Sequence, residues 1–141
     1  MNNPEKIILH GRKVTGGVAE GEALVSRMPL MGWGNVDERH GYTTERNHPL
    51  FEVPYKGKVL VFTEPRGSGG FVGYGRSREY GNQPAAFVYR KGNNLTVFAA
   101  MAAGIPAVTD FDADPTEIIE TGDWVKVDGD KGTIEVIKKR N

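Results

Sequence analysis

The residues best placed to do chemistry lie where an apolar run gives way to glycine: Val59-Leu60-Val61-Phe62-Thr63-Glu64-Pro65-Arg66-Gly67-Ser68-Gly69-Gly70. A β-type run stopped by a proline and opening into a glycine loop presents bare backbone N–H groups, which hold anions well. Arg66 can clamp a carboxylate or phosphate through two parallel hydrogen bonds, and Ser68 can give or take a proton. A serine in such a loop also commonly makes nothing more than a local turn bond. The segment is expected to bind an anionic substrate, with Arg66, Gly67, Gly69 and Gly70 as its binding residues.

Composition limits what else the chain can do. Lys+Arg and Asp+Glu both number 18, so no net field draws it to nucleic acid or to an anionic membrane. It has no cysteine, which removes disulfides, thiolate catalysis and any thiolate-held iron–sulfur cluster from this polypeptide. A cluster used in its function must sit on a partner. His10, His40 and His48 lack the i, i+4 spacing of a helical metal pair, so no metal site is expected. Gly70 to Ser77 resembles a phosphate-binding loop in its spacing but carries Arg76 where the essential lysine belongs, and no dinucleotide fingerprint is present. No run approaches the roughly 18 apolar residues of a membrane span, and a cytoplasmic protein is expected.

The elements that must position the loop can be read from periodicity and turn residues. Residues 1–141 read as one domain. Ile7 to Val14 and Glu22 to Ser26 are predicted strands, with Gly16-Gly17 and Gly21 turning the chain between them. Residues 27–57 show little periodicity; in this long segment Met28, Met31 and Trp33 either anchor a partner or close the small core. Lys58 to Phe62 and Ala85 to Tyr89 are predicted buried strands, separated by a helix over Phe71 to Tyr80 that Gly73 and Gly75 weaken. Thr96 to Ala103 is a predicted helix, Ile105 to Val108 a strand and Pro115 to Glu120 a helical turn. Trp124 to Asp128 and Thr133 to Ile137 alternate apolar and polar residues around Asp128-Gly129-Asp130-Lys131-Gly132 and form a hairpin. The order predicts a mixed α/β domain, with a mixed sheet or β layers and two to three short helices.

Two resemblances follow from the residues. Gly11-Arg12-Lys13-Val14, Gly17-Val18-Ala19-Glu20-Gly21-Glu22-Ala23-Leu24-Val25, Gly32-Trp33-Gly34, His48-Pro49-Leu50, Gly57 to Phe62, Arg66-Gly67-Ser68 and Pro84-Ala85-Ala86, in that order, resemble the small subunit, or swivelling domain, of the aconitase X family. The resemblance implies a swivelling β/β/α fold docked on a large subunit that carries an iron–sulfur cluster. It implies a hydro-lyase that dehydrates a small hydroxy acid: a phosphorylated mevalonate in archaeal members, cis-3-hydroxy-L-proline in bacterial ones. It further implies Ser68 as the catalytic acid/base. The family pattern follows Arg-Gly-Ser with more serines, whereas Gly69-Gly70 stand here. Because the loop is not strongly basic near Ser68, a hydroxyproline-like substrate is slightly favoured. Gly73-Tyr74-Gly75-Arg76-Ser77-Arg78-Glu79 is similar to a substrate loop of conventional aconitases, which would make Ser77 and Arg78 the working pair; a solvated helical turn is the preferred alternative. The second resemblance, of Gly104-Ile105-Pro106-Ala107-Val108 and Thr121 to Gly132 to the phosphohistidine domain of PEP-utilising enzymes, lacks the histidine that would carry the phosphoryl group. A non-catalytic anion-binding or regulatory swivelling module is the alternative to the hydro-lyase.

Overall fold

All four residues of Val59–Phe62 are buried, and so are all four of Ala86–Tyr89. Only strands covered on both faces bury every residue, which places both in the middle of a layered structure. The computed structural model describes residues 5–31, 36–66, 72–92 and 96–139. Along the chain the strands are β1 (Lys6–His10), β2 (Arg12–Thr15), β3 (Val18–Val25), β4 (Leu30–Met31), β5 (Val36–Asp37), β6 (Tyr42–Thr43), β7 (Val59–Phe62), β8 (Pro65–Arg66), β9 (Ala86–Tyr89), β10 (Ala107–Thr109), β11 (Trp124–Asp128) and β12 (Thr133–Ile137). The helices are α1 (Val72–Glu79), α2 (Thr96–Ala103) and α3 (Pro115–Ile118).

Eight strands form one curled sheet in the order β1-β12-β11-β3-β7-β9-β10-β2, with β4-β8 and β5-β6 as two-stranded ladders. β3 joins its two halves. Val18 to Glu22 pair antiparallel with β11, and Ala23 to Val25 pair parallel with β7. Gly21 sits at the changeover, where its backbone meets the Gly57 carbonyl and leaves no room for a side chain. The turn expected at Gly21 is therefore absent: the small residue lets the strand run on past a close neighbour. The strand expected over Ile7 to Val14 is in turn broken at Gly11. Gly11 N–H donates to the Gly132 carbonyl at 2.8 Å, and a Cβ at Gly11 would lie 2.6 Å from the Thr109 carbonyl. That one residue carries the chain from one edge of the curled sheet to the other.

The period-2 alternation of β7 and β9 sorts the core into two layers. Val59, Val61, Ala86 and Val88 pack with Leu9, Val125, Val127, Ile134 and Val136 between the two halves of the sheet. Leu60, Phe62, Phe87 and Tyr89 pack with Ala100, Ala103 and Ile105 on the helix side. Phe62 stands edge-on to Phe87 and Tyr89 at centroid distances of 5.7 and 5.1 Å, contacts worth about 0.5–1.5 kcal/mol each beyond their area. The result is the β/β/α arrangement. Helix α1 holds two interior glycines that disfavour it by about 1 kcal/mol each relative to alanine. Packing on α2 offsets that cost: a Cβ on Gly75 would lie 2.5 Å from the Ala102 carbonyl. Gly75 thus serves the close approach of two helices, not of a ligand.

Candidate functional site

β3, β7 and β9 run parallel as neighbours, so their carboxyl ends lie along one edge. Open parallel sheets bind ligands there, because the loops that leave the strand ends converge above a fixed frame. Three segments leave this edge: Ser26 to Pro29 after β3, Thr63 to Arg66 after β7, and Arg90 to Gly92 after β9. They are laced together by Ser26 N–H to the Val61 carbonyl at 2.8 Å, Arg90 N–H to the Phe62 carbonyl at 3.0 Å and Lys91 N–H to the Thr63 carbonyl at 3.1 Å. Thr63 is buried, and its Oγ1 has no hydrogen-bond partner among the described residues.

Arg66 closes β8, which pairs in parallel with β4: Leu30 with Pro65 and Met31 with Arg66. The apolar run therefore continues one short strand beyond the proline, and the loop starts from a paired backbone. Gly67, Ser68, Gly69 and Gly70 lie outside the described residues, as does Trp33. By strand order, Arg27, Arg90 and Lys91 come to the same edge as Arg66, and all three are exposed. These cations come from neighbouring strand ends distant in sequence, and Asp110 after β10 and Asp114, 4.0 Å from Arg90, accompany them.

Ser77 is not part of this edge. It is fully buried within α1 and hydrogen-bonds the Tyr55 hydroxyl. Burial pushes the Tyr55 hydroxyl up to about 12, the Ser77 bond opposing it. The solvated turn expected here does not hold for Ser77, whose burial sets it apart from exposed Arg78. Amphipathic geometry decides this: Ser77 occupies the inward face of the helix, while Arg76 and Arg78 face out. The guanidinium of Arg78 lies over Gly104, at the carboxyl end of α2, where a cation is favoured.

His48 is held by a specific set of hydrogen bonds. It is 4% exposed, and its Nδ1 accepts the Leu50 N–H at 3.0 Å. A backbone N–H can only donate, so Nδ1 carries the lone pair and the ring proton is on Nε2. Nε2 faces the Pro29 carbonyl at 3.1 Å and Ser26 Oγ at 3.3 Å. Ser26 Oγ in turn donates to the Met28 carbonyl and accepts from the Met28 N–H, both at 3.0 Å. A buried serine beside a histidine looks like a nucleophile and its base, but here the imidazole points a proton, not a lone pair, at the hydroxyl. Burial lowers the His48 pKa against the opposing pull of Glu45, which keeps the ring neutral and this tautomer intact. The 22-residue separation of Ser26 and His48 offers no spacing signal from which the pair could be read.

The alternating aspartates Asp110, Asp112 and Asp114 look like a cation loop on paper, and each is committed elsewhere. Asp110 accepts the Gly92 N–H at 2.8 Å and Arg12 Nε at 3.0 Å. The Gly92 bond, with Arg12 beside it, holds its carboxyl below the usual range despite the cost of burial. Asp112 accepts the His10 N–H at 3.1 Å. Asp114 caps α3 through the Thr116 N–H at 2.9 Å and its hydroxyl at 2.7 Å. Among the described residues no group of three or more His, Cys, Asp or Glu could hold a metal ion, and no helix is long and apolar enough to cross a membrane. A groove of about 350 Å³ at the opposite, amino edge of the parallel strands is lined by Thr15, Val18, Met101, Ile105 and Pro106, with no titratable side chain among the described residues of its walls.

The family model for the aconitase X swivel domain matches residues 8–136. The phosphomevalonate dehydratase small subunit of Methanosarcina mazei is 38% identical over 131 residues, which span 92% of this chain and 90% of that protein. The Pyrococcus furiosus protein of the same name is 36% identical over 131 residues, spanning 92% and 95%. Among solved structures, a chain of Thermococcus kodakaraensis aconitase X in its holo-form superposes with a TM-score of 0.85 at 32% identity, covering 94% of this chain and 99% of that one. The solution structure of a UPF0107 protein superposes at 0.82 with 31% identity.

Proposed function

The chain belongs to the aconitase X swivel-domain family, and from that premise we propose that it is the small subunit of a hydro-lyase that dehydrates a phosphorylated hydroxy acid of the phosphomevalonate type. The observation that carries the proposal is the likeness, along nearly the whole chain, to small subunits named for that reaction. Arg27, Arg66, Arg90 and Lys91 at one strand edge support a phosphorylated substrate over a hydroxyproline, since a dianionic phosphate needs more than one cation. The choice reverses the slight preference drawn from the loop sequence alone.

Dehydration removes a proton from one carbon and hydroxide from its neighbour, and the two leave as water. In this reading Ser68 exchanges the carbon-bound proton, Arg66 clamps an acidic group of the substrate, and the N–H groups of Gly67, Gly69 and Gly70 face developing negative charge. A serine hydroxyl is a poor base in water, and it works here because a closed site on the assembled complex excludes solvent and stabilises the alkoxide. A chain without cysteine does not suit an iron–sulfur cluster, so in this reading the cluster belongs to the large subunit.

The test is to assemble the chain with its large subunit and follow dehydration of mevalonate 5-phosphate, with cis-3-hydroxy-L-proline as the competing substrate. Ser68→Ala should leave assembly intact and lower turnover by about 10²- to 10⁴-fold. Turnover near wild type in that variant removes Ser68 from the mechanism, and activity on hydroxyproline alone overturns the substrate assignment.

A further inference from the structure

We propose that His48 is a positioning residue for the strand end that carries Arg66, acting through the carbonyl of Pro29. The inference rests on the reading of the Arg66–Ser68 segment as the substrate site, and of that segment it uses the backbone pairing of Arg66 with Met31 alone. Among the described residues β4 and β8 pair at Leu30–Pro65 and Met31–Arg66, and a parallel pair with no tight turn joining its strands keeps its register through whatever anchors each strand. Pro65, one of its members, has no N–H to donate. The ladder therefore depends on what fixes β4, which Pro29 leads into.

Pro29 likewise has no N–H, so its carbonyl is the one backbone group through which residue 29 can be tethered by a hydrogen bond. His48 Nε2–H lies 3.1 Å from that carbonyl. The histidine is itself held firmly. His48 N–H donates to the Glu45 carbonyl at 3.1 Å, and the His48 carbonyl accepts the Phe51 N–H at 3.0 Å. Leu50, whose N–H fixes the ring through Nδ1, is sunk in the helix-side core. A second contact, Nε2 to Ser26 Oγ, ties the same ring to the residue that ends the β3–β7 pairing. One imidazole thus bridges the core, the end of β3 and the entry to β4, and β4 sets where the backbone of Arg66 lies.

The two ring nitrogens can be tested separately in the assembled complex. His48→Asn keeps an acceptor for the N–H two residues on, as an Asx turn does, and removes the donor to Pro29. His48→Gln places an amide N–H near the position of Nε2 and removes the turn acceptor. The asparagine variant should lose about 10- to 100-fold in kcat, the scale of a catalytic group misplaced by an ångström or less, with little change in melting temperature. Amide exchange at Leu30, Met31 and Arg66 should quicken in the same variant. The glutamine variant should restore kcat and slow exchange while melting lower. Equal loss of kcat in both variants, wild-type kcat in the asparagine variant, or unchanged exchange at Arg66 overturns the proposal. If the asparagine variant does not assemble, the glutamine variant decides alone: near-wild-type kcat supports the tether and a large loss overturns it. Ser68→Ala, run alongside, separates the two ideas, since it should abolish turnover with exchange unchanged. Retained turnover there removes the Ser68 reading, while the exchange pattern still reports on His48.

Discussion

Asp123→Asn probes the contact that fastens the C-terminal strand to the α3 turn. Asp123 is fully buried. Its Oδ1 accepts the Lys139 N–H at 2.8 Å, and its Oδ2 accepts the Glu120 N–H at 2.8 Å and Lys138 Nζ at 2.6 Å. Asparagine has one oxygen for these two directions, so its amide must meet a donor whichever way it turns. The change removes a charge-assisted bond, about 1.5–3 kcal/mol, and leaves a buried N–H unsatisfied at about 1–3 kcal/mol. Lys138 keeps the Ile118 carbonyl at 2.7 Å and Glu120 at 3.2 Å, so its charge is not stranded and the loss falls at about 3 kcal/mol, the low end for a broken buried pair. For a domain of this size that is a fall of about 10 °C in Tm.

The same contact gives a pH signature. Burial alone would raise the Asp123 pKa, but bonds from Lys138 and from the Glu120 and Lys139 amides, with the Lys138 charge, bring it below its ordinary value. A carboxyl depressed in the folded state contributes stability that is complete above its unfolded pKa and is lost as pH falls through the folded one. Urea unfolding of both proteins should therefore show a gap that holds from about pH 8 to about pH 5 and narrows below about pH 4. The m value should not change, since the surface exposed on unfolding is the same. A loss under about 1 kcal/mol at neutral pH, or a gap that stays constant into acid, refutes the assignment of this stability to a buried, charged Asp123.

Two further outcomes follow from the close contacts. Ser77→Ala should cost about 1 kcal/mol of stability through the lost bond to Tyr55 and leave turnover of the complex essentially unchanged; a collapse like that expected of Ser68→Ala would return Ser77 to the active site. Gly11→Ala drives a methyl group into the Thr109 carbonyl and should lower stability by about 2–3 kcal/mol, read as a fall in Tm, whereas a shift below about 2 °C would mean the crossover has room to spare.

What was legible in the sequence depended on local repetition. β7, β9, α2 and the β11–β12 hairpin were expected close to where they stand, because unbroken apolar runs and strict alternation are read directly as two-sided and one-sided burial. The irregular segment 27–57 hid β4, β5 and β6, each two residues long, whose pairing partners set them and whose own composition does not. In the turn after β5, Glu38 pairs with Arg76 at 3.2 Å and Arg39 lies over the Tyr80 ring, so the hairpin clasps α1, a contact that no local pattern announces. Glycines misled in both directions: Gly21 marked a close crossing within a strand, and Gly11 an edge-to-edge passage inside what looked like one strand.

By itself the sequence determined the chemistry available and its limits. Arg66 and Ser68 on a glycine loop read as an anion site, a chain without cysteine has no thiolate with which to hold a cluster, and the order of short motifs resembles one family. Only tertiary structure decided which side chains share a location. It buried Ser77, turned the proton of His48 toward Ser26 and Pro29, and drew Arg27, Arg90 and Lys91 to the edge from which the Arg66 loop departs. The physical reason is that parallel pairing of β3, β7 and β9 aligns strand ends dozens of residues apart, and a one-dimensional pattern carries no record of which ends will meet.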